Sequence, residues 1–284
     1  MSAGPLLLDG AMGTELIRAG FPQGHLPEEW LITKADAIAR VSGGYAKAGS
    51  DAVYSCTFGA NRINLAKHGL GDKVAEVNRI GVAVARQAAP GKLVFGSVGP
   101  IGELLEPSGE LTGEEAQSAF AGQIAALIAA GVDAIVSETN TNLDEAVLAV
   151  AAARSASNAA VLASMSFEGA DKGYRTVMGT TPEQAAEALL AAGADAVGVN
   201  CGLGGDGALE VVKRMKAAFP GAILMAKPNA GLPSFSGGKM VYATGPDEFA
   251  REGLALRDAG ASILGGCCGT TSAHIGALAS ALRR

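Results

Sequence analysis

One short phrase recurs four times along the chain. It reads Ala48-Gly49-Ser50-Asp51-Ala52-Val53, then Ala130-Gly131-Val132-Asp133-Ala134-Ile135, then Ala192-Gly193-Ala194-Asp195-Ala196-Val197. A weaker fourth copy is Ala259-Gly260-Ala261-Ser262-Ile263-Leu264. In each, a glycine suited to ending a helix is followed by a short turn into an apolar, β-branched run. The copies enter the second, fourth, sixth and eighth of eight strand-like segments, at 6–9, 52–57, 93–98, 134–138, 161–166, 196–200, 222–227 and 262–266. Ala-rich stretches with helical spacing lie between them, at 35–48, 72–89, 113–130, 143–157, 182–192, 207–218, 247–259 and 272–282. Strands alternating with helices build a parallel sheet. A quasi-repeat in every second unit suits a closed barrel, whose alternate strands fill alternate interior layers. The chain therefore reads as α/β, a single (β/α)8 TIM barrel over residues 1–284. The competing open doubly wound sheet would call for a nucleotide-type glycine loop, which the sequence lacks.

Several helix starts are explicit. Thr112 and Asn142 each precede a glutamate by three residues (Glu115, Glu145), the capping-box spacing. Thr181-Pro182-Glu183-Gln184 adds proline at the first helical position, and Pro246 does the same for the seventh helix. The longest irregular stretches are 18–33, 58–70, 99–111, 167–181 and 228–245; apart from part of the first, each follows a strand, where barrel enzymes carry their functional loops.

A hydrophobic content of 49% gives ample material for a core, and the 40 glycines follow no collagen period. A net charge of −6 without a basic cluster argues against nucleic acid or an anionic membrane as partner. No apolar run approaches the roughly 18–20 residues of a membrane span. Asp9 and Glu15 interrupt the only early apolar stretch, so no signal peptide is read. A soluble, cytoplasmic protein is expected.

The four cysteines are Cys56, Cys201, Cys267 and Cys268. Adjacent Cα atoms lie about 3.8 Å apart, below the roughly 4.4–6.8 Å of a disulfide, so reduced thiols are expected. Cys201 ends the sixth strand in Val199-Asn200-Cys201-Gly202, and the adjacent pair ends the eighth in Gly265-Gly266-Cys267-Cys268-Gly269. In a parallel barrel these ends open on one face. Successive strand residues point to opposite sides, so both members of the pair can reach one ion only if the flanking glycines let the backbone leave strand geometry. Three thiolates suit Zn²⁺ with an open fourth position. Such a site would hold an incoming thiol as a thiolate near neutral pH, which points to alkyl transfer to sulfur. Cys56 is expected to be a small buried hydrophobe, and His25, His68 and His274 to be surface residues.

Two acids sit at strand ends on the same face: Asp9 in Leu8-Asp9-Gly10-Ala11-Met12-Gly13-Thr14, and Glu138 in Val136-Ser137-Glu138-Thr139. The pair could bind an α-amino group. The amides of Gly10, Ala11 and Met12, in the turn after Asp9, could hold a carboxylate. An amino-acid thiol would meet all three features.

Together these residues resemble the homocysteine S-methyltransferase family, and within it the homocysteine-binding module of cobalamin-dependent methionine synthase. The matching stretches are Asp9–Thr14, Thr57–Leu70, Ser97–Pro100, Glu138–Thr141, Asn200–Leu203, Pro228–Gly231 and Gly265–Thr271. The resemblance implies zinc on Cys201, Cys267 and Cys268. It also implies homocysteine with its ammonium near Asp9 and Glu138, its carboxylate at the following turn, and Asn200 among the substrate contacts. Asn229 is expected to complete the zinc site when substrate is absent. Two departures stand out. The family often has Asn where this chain has Cys56, which alters a polar contact. The chain also stops at Arg284, without folate, cobalamin or reactivation modules, so a methylcobalamin donor is expected on a separate corrinoid protein. Lys227–Gly231 and Gly238–Tyr242 resemble that corrinoid-linked branch. The alternatives are a stand-alone enzyme using S-methylmethionine or betaine, and a zinc- and homocysteine-binding subunit inactive without its corrinoid partner. With aromatics at 5%, an aromatic cage for betaine is the least supported.

Overall fold

The computed structural model describes residues 4–283 other than Gln23, Ala170, Lys172, Gly237 and Gly238. Its strands are β1 (Leu6–Leu7), β2 (Ala52–Tyr54), β3 (Leu93–Val98), β4 (Ala134–Asn140), β5 (Ala160–Met165), β6 (Ala196–Asn200), β7 (Ile223–Lys227), β8 (Ser234–Ser236), β9 (Lys239–Val241) and β10 (Ala261–Leu264). Eight of them form one parallel sheet in the order β1-β10-β7-β6-β5-β4-β3-β2, while β8 and β9 pair as a separate antiparallel ribbon. The helices are α1 (Gly13–Arg18), α2 (Glu28–Thr33), α3 (Ala35–Ala48), α4 (Arg62–Ala66), α5 (Val74–Ala88), α6 (Gly113–Ala129), α7 (Leu143–Ala156), α8 (Pro182–Ala191), α9 (Gly205–Ala218), α10 (Pro246–Asp258) and α11 (Ser272–Leu282). The barrel and its eight predicted helices stand. The short α2 and α4 and the β8–β9 ribbon lie in stretches that read as loops, and α1 falls between the first strand and the first of those stretches, where the sequence assigns no element.

The recurring phrase explains how the sheet is built. Gly49, Gly131, Gly193 and Gly260 all adopt left-handed φ, of 115°, 84°, 103° and 107°, as a helix-ending glycine must. The aspartate two residues later reaches the neighbouring strand. Asp133 Oδ2 accepts the Val94 amide at 2.7 Å, and Asp195 Oδ2 accepts that of Val161 at 2.8 Å. Both also pair with an arginine of the helix that leads into that neighbouring strand, Arg86 of α5 and Arg154 of α7. Asp51 performs the most consequential version, because β1 and β2 are the two ends of the sheet. Its Oδ2 accepts the Leu7 amide at 2.9 Å, and its own amide donates to the Leu7 carbonyl at 2.6 Å. Near the other end of the same seam, Asp9 Oδ2 accepts the Tyr54 amide at 2.8 Å. Side chains thus close the barrel where strand pairing stops. The fourth copy has Ser262 in place of the aspartate, and there the register of β10 against β7 shifts between Ala261 and Ile263.

Alternation along the strands divides the core in two. Leu8, Tyr54, Phe95, Leu162 and Met225 fill the barrel interior, while Leu7, Val53, Val94, Val197 and Leu224 pack outward against the helices. Among the described residues no helix is long and apolar enough to cross a membrane.

Two expectations need correction. His274 is buried rather than at the surface. It occupies the third position of α11, with Nδ1 2.9 Å from Thr271 Oγ1 and Nε2 2.9 Å from the Thr244 carbonyl, and its ring lies edge-on to Phe249. The imidazole does there what a capping glutamate does elsewhere. At α7 the box is only half made: Asn142 accepts the Asp144 and Glu145 amides, but the Glu145 carboxylate turns away to the Ile101 amide at 2.6 Å. Thr112 and Thr181 make the full reciprocal box.

Candidate functional site

Cys201 follows β6 directly, in a left-handed conformation (φ 58°). Beyond β10 the chain remains tied to its neighbours. The Gly266 amide donates to the Asp9 carbonyl at 3.0 Å, and that of Cys267 to Pro228 at 2.8 Å. Only Gly269 uses positive φ, at 83°. Gly266 is required for another reason, because a Cβ there would sit 2.5 Å from Thr270 Oγ1. The outcome is that the ligand atoms of Cys201, Cys267 and Cys268 all lie within 4.8 Å of one another. Cys201 and Cys268 Sγ are 3.8 Å apart. Tetrahedral ligands at about 2.3 Å from zinc are separated by about 3.8 Å, so this edge already has the spacing of a zinc site.

The thiols raise one another's affinity for protons. For Cys267 the contact with Cys201 is the largest cause, with burial adding to it. For Cys201 the contact with Cys267 lowers the value, but that with Cys268 and burial outweigh it, to about 11. Cys268 is lowered by Cys201 yet raised by Cys267 and burial, to about 12. Three crowded thiols of this kind are matched by a cation among them. Asn229 lies near the cluster in the fold: it is 3% exposed, the next amide donates to the Cys268 carbonyl, and its Oδ1 has no hydrogen-bond partner among the described residues. A buried orphan oxygen fits a metal-completing role.

The cysteines border a cavity of about 270 Å³ that also contacts Asp9, Gly10, Ala11, Met12 and Glu138. The expected residues thus converge, with two differences of detail. The Ala11 amide is already given to Thr270 Oγ1 at 3.0 Å. Asn200 does not border the cavity and acts instead as a buried bracket. Its Oδ1 accepts the Thr139 amide and the Ser164 hydroxyl, each at 2.7 Å, and its Nδ2 donates to Thr139 Oγ1 at 2.7 Å and lies 3.8 Å from Cys267 Sγ. It fixes the turn after Glu138 to the sulfur cluster. Thr139 is itself left-handed (φ 60°), as is Cys56 (φ 55°), so the ends of β2, β4 and β6 share this conformation.

Glu138 Oε1 accepts from Ser97 Oγ at 2.6 Å. Burial pushes its carboxyl up, opposed by Lys227 and by that hydroxyl. Cys56 is buried as expected, against α1–α5 residues including Leu16 and Trp30, and burial drives its thiol well up. His25 and His68 lie away from the sulfurs, both on Glu29, at 3.0 and 2.9 Å.

Sequence reading passed over Lys227, the last residue of β7. Its Nζ is 2.8 Å from Asp9 Oδ1 and 3.6 Å from the centroid of the Tyr54 ring. The signal was available, since a charged residue at a strand end is what drew notice to Asp9 and Glu138. Tyr242 was also passed over. It follows the β8–β9 ribbon, and its side chain fills the space a Cβ on Gly269 would need. Gly238, part of the stretch resembling the corrinoid-linked branch, lies outside the described residues.

Comparison with known proteins agrees with this geometry. Residues 6–282 match the family described as homocysteine S-methyltransferase. The methionine synthases of Mycobacterium tuberculosis and Mycobacterium leprae are 31% and 30% identical over 96% and 97% of the chain. The chain spans about a quarter (24%) of the length of each of these relatives. Among solved structures, the metallated form of the homocysteine methyltransferase MmuM from Escherichia coli is 25% identical, with a TM-score of 0.81. That match covers 98% of this chain and 96% of MmuM.

Proposed function

The chain belongs to the homocysteine S-methyltransferase family, and we propose that it transfers a methyl group to the thiol of homocysteine, giving methionine, with zinc held by Cys201, Cys267 and Cys268. One observation carries the reading: three sulfurs converge on a small cavity whose other side carries Asp9, Glu138 and the turn of Gly10, Ala11 and Met12. At about 270 Å³ the cavity lies just below the roughly 300–1,000 Å³ of drug-sized sites, which suits a compact substrate. Zinc bound by three thiolates supplies a position at which a fourth thiol is kept deprotonated near neutral pH.

The chain's own residues position and select. The ammonium of homocysteine goes to the acidic side of the cavity, and its carboxylate to the amides of the turn after Asp9. Its sulfur is then directed at the cysteines. Asn200 keeps the Glu138 turn and Cys267 at a fixed separation, so both ends of the substrate are read at once. Asn229 takes the fourth ligand position before homocysteine arrives.

For the donor, we favour a methylcorrinoid, supported by the likeness to methionine synthases. A second reading, a self-sufficient enzyme with a small sulfonium donor such as S-methylmethionine, is supported by the end-to-end match with MmuM. The test is to incubate zinc-loaded protein and homocysteine with methylcobalamin, S-methylmethionine or betaine and to quantify methionine, with Cys268→Ala as background. Methionine from methylcobalamin alone supports the first reading, and from S-methylmethionine the second. Failure to bind homocysteine at all overturns both.

A further inference from the structure

Three carboxylates and one ammonium line the cavity: Asp9, Glu28, Glu138 and Lys227. Glu28 is the most enclosed of the acids, 1% exposed, with one oxygen on the Gly59 amide. Asp9 is engaged at both oxygens. Oδ1 accepts from Lys227 Nζ at 2.8 Å and Oδ2 accepts the Tyr54 amide at 2.8 Å. The Lys227 and Asp9 side chains are 3% and 2% exposed, and the Tyr54 ring below Nζ fixes the lysine in place. Their charges cancel within a buried pair, which behaves towards an incoming ligand as a neutral unit.

Glu138 is different. It is only half-buried, one oxygen accepts from Ser97 Oγ, and no cation forms an ion pair with it among the described residues. Its charge faces the cavity uncompensated at ion-pair distance. An ammonium approaching Asp9 would meet Lys227, a like charge, while one approaching Glu138 meets an available carboxylate.

Resting on the homocysteine reading above, we propose that Lys227 is a specificity-determining residue, which neutralises Asp9 and so assigns the substrate's α-ammonium to Glu138 rather than to Asp9. The same neutralisation lets the substrate carboxylate sit at the turn directly after Asp9 without repulsion from that side chain. The two acids, equivalent as strand-end residues, therefore have separate duties. Asp9 joins β1, β2 and β7, and Glu138 reads the amino group.

The test compares the zinc-loaded protein's affinity, by calorimetry, for homocysteine and for 4-mercaptobutanoate, which lacks only the amino group. The ratio of the two dissociation constants measures ammonium recognition. Glu138→Gln is expected to reduce that ratio about tenfold or more, as loss of a charge-assisted hydrogen bond does. The double variant Asp9→Asn/Lys227→Met removes the pair as a unit, and Asn can still accept the Tyr54 amide. It is expected to keep the ratio within about threefold of the parent. A fall in the double variant matching that of Glu138→Gln overturns the inference. Should the double variant not fold, a structure of the unaltered protein with homocysteine decides. An ammonium bonded to Glu138 and out of hydrogen-bond reach of Asp9 supports the assignment, and one bonded to Asp9 overturns it. If the unaltered protein binds no homocysteine, the functional reading fails and this inference with it.

Discussion

Glu28, the first residue of α2, offers a test of how the wall of the cavity is held. It is 1% exposed. Its Oε1 accepts the Gly59 amide at 2.5 Å, while Oε2 has no hydrogen bond among the described residues. Burial drives the carboxyl from 4.5 up to about 7, against the pull of the Gly59 amide. The folded value lies above the unfolded one, so the folded state binds the proton more tightly. The stability this group confers is complete below pH 4.5 and is lost as pH rises through about 7. Between pH 5 and pH 8 the loss works out at about 2.5 kcal/mol. Glu28→Gln keeps the acceptor for Gly59 and removes the ionisation. Urea unfolding of both proteins at pH 5, 6, 7 and 8 is the assay. The stability of the variant relative to the parent should climb by about 2–3 kcal/mol from pH 5 to pH 8. The other acids raised in the same way, Glu138, Glu145 and Glu252, are present in both proteins and cancel in the difference. Parallel profiles, within about 0.5 kcal/mol, would refute the reasoning.

Other outcomes follow from the same structure. Asp51→Ala leaves the Leu7 amide without its acceptor at the barrel seam and should destabilise by about 1.5–3 kcal/mol in urea unfolding. Asp51→Asn, which can still accept, should recover most of that loss. Cys268→Ala should lose tightly bound zinc after dialysis against a chelator, as read by atomic absorption, because two thiolates do not make a closed site. Asn229→Ala should weaken zinc binding more without homocysteine than with it, in a chelator competition run both ways. Equal weakening in the two conditions would remove Asn229 from the metal.

The barrel was legible because its information is periodic. Each Ala-Gly-x-Asp copy encodes a helix end, a turn and a strand entry, and the predicted helix of 35–48 matches α3 residue for residue. The three cysteines were legible because strand ends on one face of a parallel barrel must converge. What remained hidden depends on contacts between distant segments. Lys227 and Asp9 are 218 residues apart and become partners only when β1 and β7 flank β10. The role of Asn200 as a bracket requires β4, β5 and β6 to be side by side. His274 carries no sign in its own neighbourhood that Thr244, 30 residues earlier, will cover it. Ribbon β8–β9 is too short for an alternation pattern to register, and α1, α2 and α4 are too short for a helical one.

The left-handed backbone at Thr139 and Cys201 has a thermodynamic consequence for the ligand. A non-glycine residue in that region stores about 1–3 kcal/mol, and only a surrounding structure that over-determines it can keep it there. Here the Asn200 side chain and the β-ladders do so through contacts made within the chain itself. A small amino acid makes few contacts and has little free energy with which to reshape its receptor. In this barrel the reshaping was completed during folding. The backbone that carries Glu138 and Cys201 should superimpose closely between free and bound states, and most of the substrate's binding energy is left for discrimination between one thiol and another.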